Sequence, residues 1–185
     1  MHQRLRTLIA NDPVRLRILR QVRSLQLPDA WVAAGLVRSA VWDALHGRVP
    51  SPLPADIDVI WFDPSEATAA RDRALEARLR ELEPQLGWSV KNQARMHLRN
   101  GDAAYTSASQ AMIHWPETAT AVALRLDAED QLEVAAPLGL DDLFAGILRP
   151  TPHCAVGQPR HAVFLQRLAQ KAWCDTWPGL RRLDR

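Results

Sequence analysis

Two stretches, Trp31-Val32-Ala33-Ala34-Gly35 and, one helix-length later, Asp56-Ile57-Asp58-Val59-Ile60-Trp61-Phe62, decide how this chain folds. Side chains alternate across a strand, so Asp56 and Asp58 project from one side while Ile57, Val59 and Trp61 line the other. Acids are poor strand formers and costly to bury, yet here a pair of them opens a strongly apolar strand. At about 3.3 Å of rise per residue their Cβ atoms lie about 6.6 Å apart, a span over which two carboxylates can share divalent cations. With an effective dielectric of about 20 their repulsion is on the order of 2 kcal/mol, so the pair requires a metal, a basic neighbour or full hydration. Asp56 and Asp58 are the candidate catalytic and metal-binding residues.

The rest of the chain supplies elements to either side. Residues 3–10 read as a short helix, and Asp12-Pro13 gives an N-cap and first-turn proline for a second helix to about Ser24. Val14, Ile18 and Val22 recur every four residues, Leu19 widens the stripe, and Arg15, Arg17, Arg20 and Arg23 are expected on the solvated face. After Pro28-Asp29 the spacing predicts a strand over Ala30 to Ala34, then a helix over Arg38 to His46 ended by Gly47. Pro50, Pro52 and Pro54 forbid regular structure and deliver an extended loop to Asp56.

Asp63-Pro64-Ser65-Glu66 resembles a capping box, with Asp63 as N-cap of a helix that runs through Leu82 until Pro84 and Gly87 stop it. Trp88 to Asn92 is a strand, and residues 94–111 follow neither period, which leaves a loop plus a short helix. Thr120 to Leu126 and Gln131 to Ala135 read as a hairpin about the turn Asp127-Ala128-Glu129-Asp130. Leu140 to Leu148 is a short helix and Arg160 to Trp173 a closing one, with Val163, Phe164, Leu168 and Ala172 inward. The fold class is α/β: a mixed sheet of about four or five strands covered by helices, with helical segments at both ends. One domain is expected over residues 1–185, with N-terminal helices in 1–28, the core in 29–150 and a C-terminal helical segment in 151–185.

With 185 residues and 47% hydrophobic content the chain can bury an ordinary core. Its 23 basic and 21 acidic residues, net +2, argue against a dedicated nucleic-acid or polybasic membrane surface, although the helix-two arginines form a local cluster. Nucleic acid is therefore an unlikely partner on composition. Cys154 and Cys174 make no disulfide framework, and no signal peptide or membrane-length apolar run is present, so a soluble, cytoplasmic protein with no membrane partner is expected.

At this point the pattern resembles the nucleotidyltransferase superfamily typified by DNA polymerase beta: a strand ending in glycine, a helix, then a strand carrying Asp-x-Asp. Ala34-Gly35-Leu36-Val37-Arg38-Ser39, His46-Gly47-Arg48 and Asp56-Ile57-Asp58-Val59 are similar to the corresponding arrangement of the aminoglycoside nucleotidyltransferases. A finer resemblance is to a bacterial family of uncharacterised nucleotidyltransferase-like proteins. It rests on Val37 to Asp43, Asp56 to Asp63, Lys91-Asn92-Gln93-Ala94-Arg95-Met96-His97 and Ala136-Pro137-Leu138-Gly139-Leu140-Asp141-Asp142-Leu143, and spans about Trp31 to Trp177.

The resemblance implies that Asp56 and Asp58 hold two magnesium ions, one polarising the attacking hydroxyl and one neutralising the triphosphate as pyrophosphate leaves. It implies that Gly35, Arg38 and Ser39 meet the triphosphate at the start of the following helix, where the backbone approaches closely and anions are favoured. Arg38 could equally pair with Asp43 or Asp56. Lys91, Asn92 and Arg95 are further nucleotide-binding candidates, and Lys91, Arg95 and His97 would form a basic wall.

Two positions depart from the superfamily pattern. Leu36 stands where Gly or Ser is usual, and the later strand that usually bears a third acid ends in Lys91-Asn92. An amide cannot accept the acceptor's proton as a carboxylate would. Glu133, Asp102 and Glu117 are acids that spacing alone does not place. Asp141-Asp142 reads as a helix start, Trp42, Trp61, Trp88 and Trp173 as core, and Trp115 as a face on which a base could stack.

The function expected is magnesium-dependent transfer of a nucleoside monophosphate from a nucleoside triphosphate to an unknown acceptor. The alternative is a nucleotidyltransferase-fold binding or regulatory module without chemistry. Only residues 151–185 follow the core, which favours a small or partner-presented acceptor.

Overall fold

Asp58 lies on the second strand of a five-stranded mixed sheet, in a computed structural model that describes residues 1–184. In chain order the helices are α1 (His2–Ala10), α2 (Pro13–Arg23), α3 (Gly35–Leu45), α4 (Ala69–Leu82), α5 (Met96–Asn100), α6 (Ala108–Met112), α7 (Asp141–Ala145), α8 (His161–Lys171) and α9 (Trp173–Thr176). The strands are β1 (Trp31–Ala33), β2 (Ile57–Trp61), β3 (Trp88–Asn92), β4 (Ala123–Leu126), β5 (Leu132–Ala135), β6 (Ile147–Leu148) and β7 (Arg181–Arg182). The main sheet has the order β3-β2-β1-β4-β5, with β2 and β3 parallel and the other pairs antiparallel. The register sets Asp58 opposite Ala33 on one side and beside Ser89 on the other.

Alternation gives the sheet two unequal faces. Val32, Ile57, Val59, Trp61, Val90 and Leu124 face the larger core, which α1 to α4 close with Ile9, Ile18, Val41, Trp42 and Leu79. Trp31, Ala33, Ile60, Ala123 and Ala135 face the other way, beneath Ala108 and Met112 of α6. Asp58 shares this second face, where small alanines leave room above the sheet.

Several boundaries differ from the sequence expectation, each for a local reason. Helix α3 begins at Gly35 rather than Arg38, because Ala34 makes the turn (φ 53°) and its carbonyl accepts from the Val37 and Arg38 N–H groups. Asp63 caps only a 3₁₀ turn at Pro64–Glu66; Thr68 supplies a second cap, accepting from the Arg71 N–H, and α4 starts there. The unassigned segment 94–111 resolves into a 3₁₀ turn at Gln93–Arg95 followed by α5 and α6.

Gly146 (φ 64°) ends α7 early and frees β6 to pair with β7, a small parallel sheet the sequence did not announce. In α8, Phe164 is buried and Leu168 packs on the core, but Val163 is 43% exposed and Ala172 (φ 43°) terminates the helix. Val14 likewise faces solvent, while Arg15 does not: it is 3% exposed, paired with Asp12, and donates to the Leu36 carbonyl and the Ser39 hydroxyl. Arg17, Arg20 and Arg23 keep their surface positions, bridging to Glu83 and Asp130. Among the described residues no helix is long and apolar enough to cross a membrane.

Candidate active site

The two acids are delivered by a loop held from three directions. Asp43 of α3 accepts from the Ser51 N–H (2.7 Å), the Ser51 hydroxyl (2.6 Å) and the Trp177 indole (2.8 Å), which ties the proline loop and the C-terminal segment to one helix. Pro54 lies over Gly35, so close that a Cβ there would meet the proline Cβ at 3.2 Å. The Gly87 carbonyl accepts from the Ile57 N–H at 2.6 Å, and a Cβ at Gly87 would stand 2.0 Å from the Ala55 carbonyl oxygen. The backbone that carries Asp56 therefore occupies space only a glycine leaves empty.

Asp56 is exposed and Asp58 half-buried, and among the described residues neither carboxylate makes a hydrogen bond or ion pair. Burial pushes the Asp58 carboxyl above the usual carboxylate range and Asp56 adds to it, while Arg167, Arg38 and Lys171 pull the other way. A half-buried, unpartnered acid beside a second acid is a site that gains from a bound cation, so the donor set fits magnesium.

Asp58 lines a cavity of about 360 Å³ on the alanine face, together with Lys91, Arg99, Trp115, Arg160 and Arg167. Four cations and one carboxylate make it a basic pocket suited to an anionic ligand. Three larger clefts, about 770, 830 and 500 Å³, lie against α2 with β4 and β5, against α1 with β5, and between α1, α3 and Phe144. None contains Asp56 or Asp58, and Asp130 neutralises Arg20 and Arg23 in the first two, so the smaller cavity is the functional candidate.

The sequence-predicted residues fall into two groups. Lys91 lines the cavity, its ammonium engaged by Glu76 at 2.6 Å. Gly35 opens α3 beside Pro54. Arg38 is buried behind them: it donates to the Thr120 hydroxyl (3.1 Å) and its guanidinium lies over Trp173 (4.4 Å) and Trp42 (5.1 Å). Burial brings its pKa down to about 10, with Glu117 opposing that shift; it pairs with neither Asp43 nor Asp56. Ser39 is also buried, its hydroxyl donating to the Gly35 carbonyl at 2.7 Å.

Asn92 and Arg95 stand apart from the acids. Asn92 is fully buried and clamps the backbone of Asp63 from both sides, and Arg95 is paired with Asp72, which also accepts from the Trp61 indole and the Asn92 N–H. The basic wall of Lys91, Arg95 and His97 is not assembled in the cavity: Lys91 lines it, while Arg95 is committed to Asp72 and His97, on α5, packs against Tyr105.

The acids left open by spacing are also placed. Glu133 pairs with Arg125; Asp102 holds Tyr105, His114 and Arg160; Glu117 holds Arg167. Among the described residues no three His, Cys, Asp or Glu side chains form a metal-holding group. Asp142 is engaged by Arg149 and the Thr118 hydroxyl, a structural role at the start of α7.

Arg160 and Arg167 were not found from sequence. Arg160 stands at the N-cap of α8 and Arg167 about two turns into it, more than a hundred positions from Asp58. Periodicity within α8 is the only signal that could have paired them.

Residues 20–182 match the Nucleotidyltransferase family. A solved structure described as revealing a CCA-adding enzyme head domain is 38% identical, with a TM-score of 0.88, over 99% of this chain and 96% of that one. The Thermotoga maritima CCA-adding enzyme complexed with tRNA is 16% identical, with a TM-score of 0.59, over 96% of this chain and 42% of that one. A CCA-adding enzyme in complex with ATP gives 16% identity and a TM-score of 0.55 over 96% and 41%. At that identity the last two show the fold alone. No curated protein sequence matches the chain. The expectation that nucleic acid is an unlikely partner finds no support in these likenesses. Strand β1, the helix that Gly35 opens and the paired strand that carries Asp58 now stand beside a basic cavity, and with the match over most of its length the chain belongs to the nucleotidyltransferase family.

Proposed function

We propose that the protein transfers a nucleoside monophosphate from a nucleoside triphosphate to an acceptor, with magnesium held by Asp56 and Asp58. The observation that carries this reading is the unpaired acid pair whose Asp58 lies in the wall of a cation-lined cavity, in a chain that matches the nucleotidyltransferase family. When bound, the metal supplies charge neutralisation for the triphosphate and lowers the pKa of the attacking hydroxyl. The protein's own share is positioning and electrostatic preorganisation.

Gly35 leaves the room that Pro54 of the acid-bearing loop occupies against the start of α3, and Ser39 fixes that peptide by donating to its carbonyl. Lys91 adds positive charge within the cavity, and Arg38 does so from behind, its own position set by Thr120 and Trp173. Asn92 and Arg95 act at a distance, by holding the end of β3 that carries Lys91. Trp115 offers a flat apolar surface to a base at the far side of the cavity.

The test is pyrophosphate release from each of the four nucleoside triphosphates with magnesium. Asp58→Asn should abolish it in a protein that still folds, and retained turnover would sink the assignment. One observation favours a second reading: no third carboxylate joins the pair among the described residues. That reading, a nucleotide-binding regulatory module, predicts magnesium-dependent nucleotide binding with no pyrophosphate released.

A further inference from the structure

Glu117 is fully buried, yet its side chain caps no helix, and its one ion pair among the described residues is with Arg167, whose Nε lies 2.9 Å from Oε1 and 3.0 Å from Oε2. Burying a carboxylate is expensive and a single partner repays it poorly, so the arrangement needs a reason beyond stability. Arg167 comes from α8, lines the cavity that holds Asp58, and is only partly covered. With Nε engaged by Glu117, its two terminal amino groups make no hydrogen bond among the described residues, and the guanidinium lies 5.7 Å from the Trp173 ring centre.

The other cations near Asp58 are placed differently. Arg38 is covered by Trp42 and Trp173 and committed to Thr120, Lys91 is engaged by Glu76, and Lys171 does not line the cavity. Of the other cavity arginines, Arg160 spends a terminal amino group on Asp102 and Arg99 has no partner among the described residues to hold its stem, so Arg167 alone combines a held stem, a free amino pair and a place in the cavity wall. A guanidinium held at Nε presents its amino pair as a planar fork, the geometry that recognises phosphate oxygens.

We propose that Arg167 binds the triphosphate beside Asp58 and that buried Glu117 is its positioning residue, holding the guanidinium so that the fork faces the cavity. The identification of the anion as a triphosphate rests on the nucleotidyltransferase reading; the anion site itself rests on Glu117, Arg167 and the cavity.

The experiment is calorimetric titration of inorganic tripolyphosphate in EDTA, so that no metal contributes, into the wild type, Arg167→Gln, Arg167→Lys, Glu117→Gln and the double variant Glu117→Gln/Arg167→Gln. Arg167→Gln should weaken binding at least about tenfold, the scale of a lost charge-assisted contact, and Arg167→Lys should recover part of it. Glu117→Gln should weaken binding several-fold in the wild-type background and change nothing in the Arg167→Gln background, because it acts through that side chain.

If Glu117→Gln does not fold, Glu117→Asp, which keeps the charge and shortens the reach, carries the same cycle and should bind with intermediate affinity. A wild type that does not bind tripolyphosphate, an Arg167→Gln that binds it unchanged, or a Glu117 effect that persists without Arg167 would overturn the inference. The predicted cycle together with Asp58-independent ATP and magnesium behaviour would instead leave this anion site standing and bring down the nucleotidyltransferase reading.

Discussion

Replacing Asp58 with Asn should make the metal-free protein more stable while removing its response to magnesium. The folded state holds the Asp58 carboxyl above its ordinary pKa, burial first and Asp56 second, with Arg167, Arg38 and Lys171 compensating only in part. A folded-state pKa above the unfolded value means the charged form is disfavoured by folding at neutral pH. The amide keeps the shape and removes the charge. Removing the charge relieves the burial penalty, the largest effect, and the smaller Asp56 repulsion, while forfeiting the attraction to Arg167, so the net gain is on the order of 1 kcal/mol. In a chain of this length that raises the midpoint of thermal unfolding by about 2–4 °C. The assay is thermal unfolding of both proteins in EDTA at pH 7 and again at lower pH. Because wild-type Asp58 takes up a proton as pH falls through its raised value, the advantage of Asp58→Asn should shrink on acidification. Addition of magnesium should raise the wild-type midpoint by mass action and leave the variant unmoved. An Asp58→Asn protein less stable than wild type at pH 7, or an advantage that grows as pH falls, would refute the electrostatic argument.

Gly87→Ala should cost about 1–3 kcal/mol by overpacking and weaken magnesium binding with it, since the added Cβ meets the Ala55 carbonyl that precedes Asp56; urea unfolding and a magnesium titration check both effects. Asp72→Ala removes the common acceptor of the Trp61 indole, the Asn92 N–H and the Arg95 guanidinium, and should destabilise by about 3 kcal/mol or more in denaturant unfolding. His114 is held below its ordinary pKa by burial first and the stacked His153 second, against the pull of Asp102, so the unfolded state protonates more readily. Stability should therefore fall as pH drops through about 6.5. His114→Gln should flatten that slope, and an unchanged slope would remove His114 as its source.

The parts of the fold legible in the sequence are those written in short-range patterns. Alternation in Ile57 to Trp61 fixed which side Asp58 would face, and the structure places Ile57, Val59 and Trp61 in the large core as alternation requires. The hairpin of β4 and β5 was legible from its turn residues, and β3 from its apolar spacing. What was not legible depends on partners distant in sequence. Arg15 reads as a solvated helix residue until Leu36 and Ser39 arrive from α3 to accept its hydrogen bonds. Ser39 and Arg38 read as phosphate ligands by their place after the glycine, but Trp42, Trp173 and Thr120 hold Arg38, and Ser39 is buried between the Gly35 carbonyl and Arg15. Gly87 reads as a helix stop, and its larger role, making room for Ala55, exists only once β2 and β3 pair. Arg167 sits on a helix whose periodicity is clear, yet nothing local ties it to Asp58.

The measurement that tests the central claim most directly is thermal stabilisation by ATP, GTP, CTP and UTP, each with and without magnesium, in the wild type and in Asp56→Asn/Asp58→Asn. Magnesium-dependent stabilisation by at least one nucleotide, lost in the double variant, is the predicted result and puts the metal and nucleotide at these two acids. Stabilisation that survives the double substitution, or no response to any of the four, would contradict the assignment.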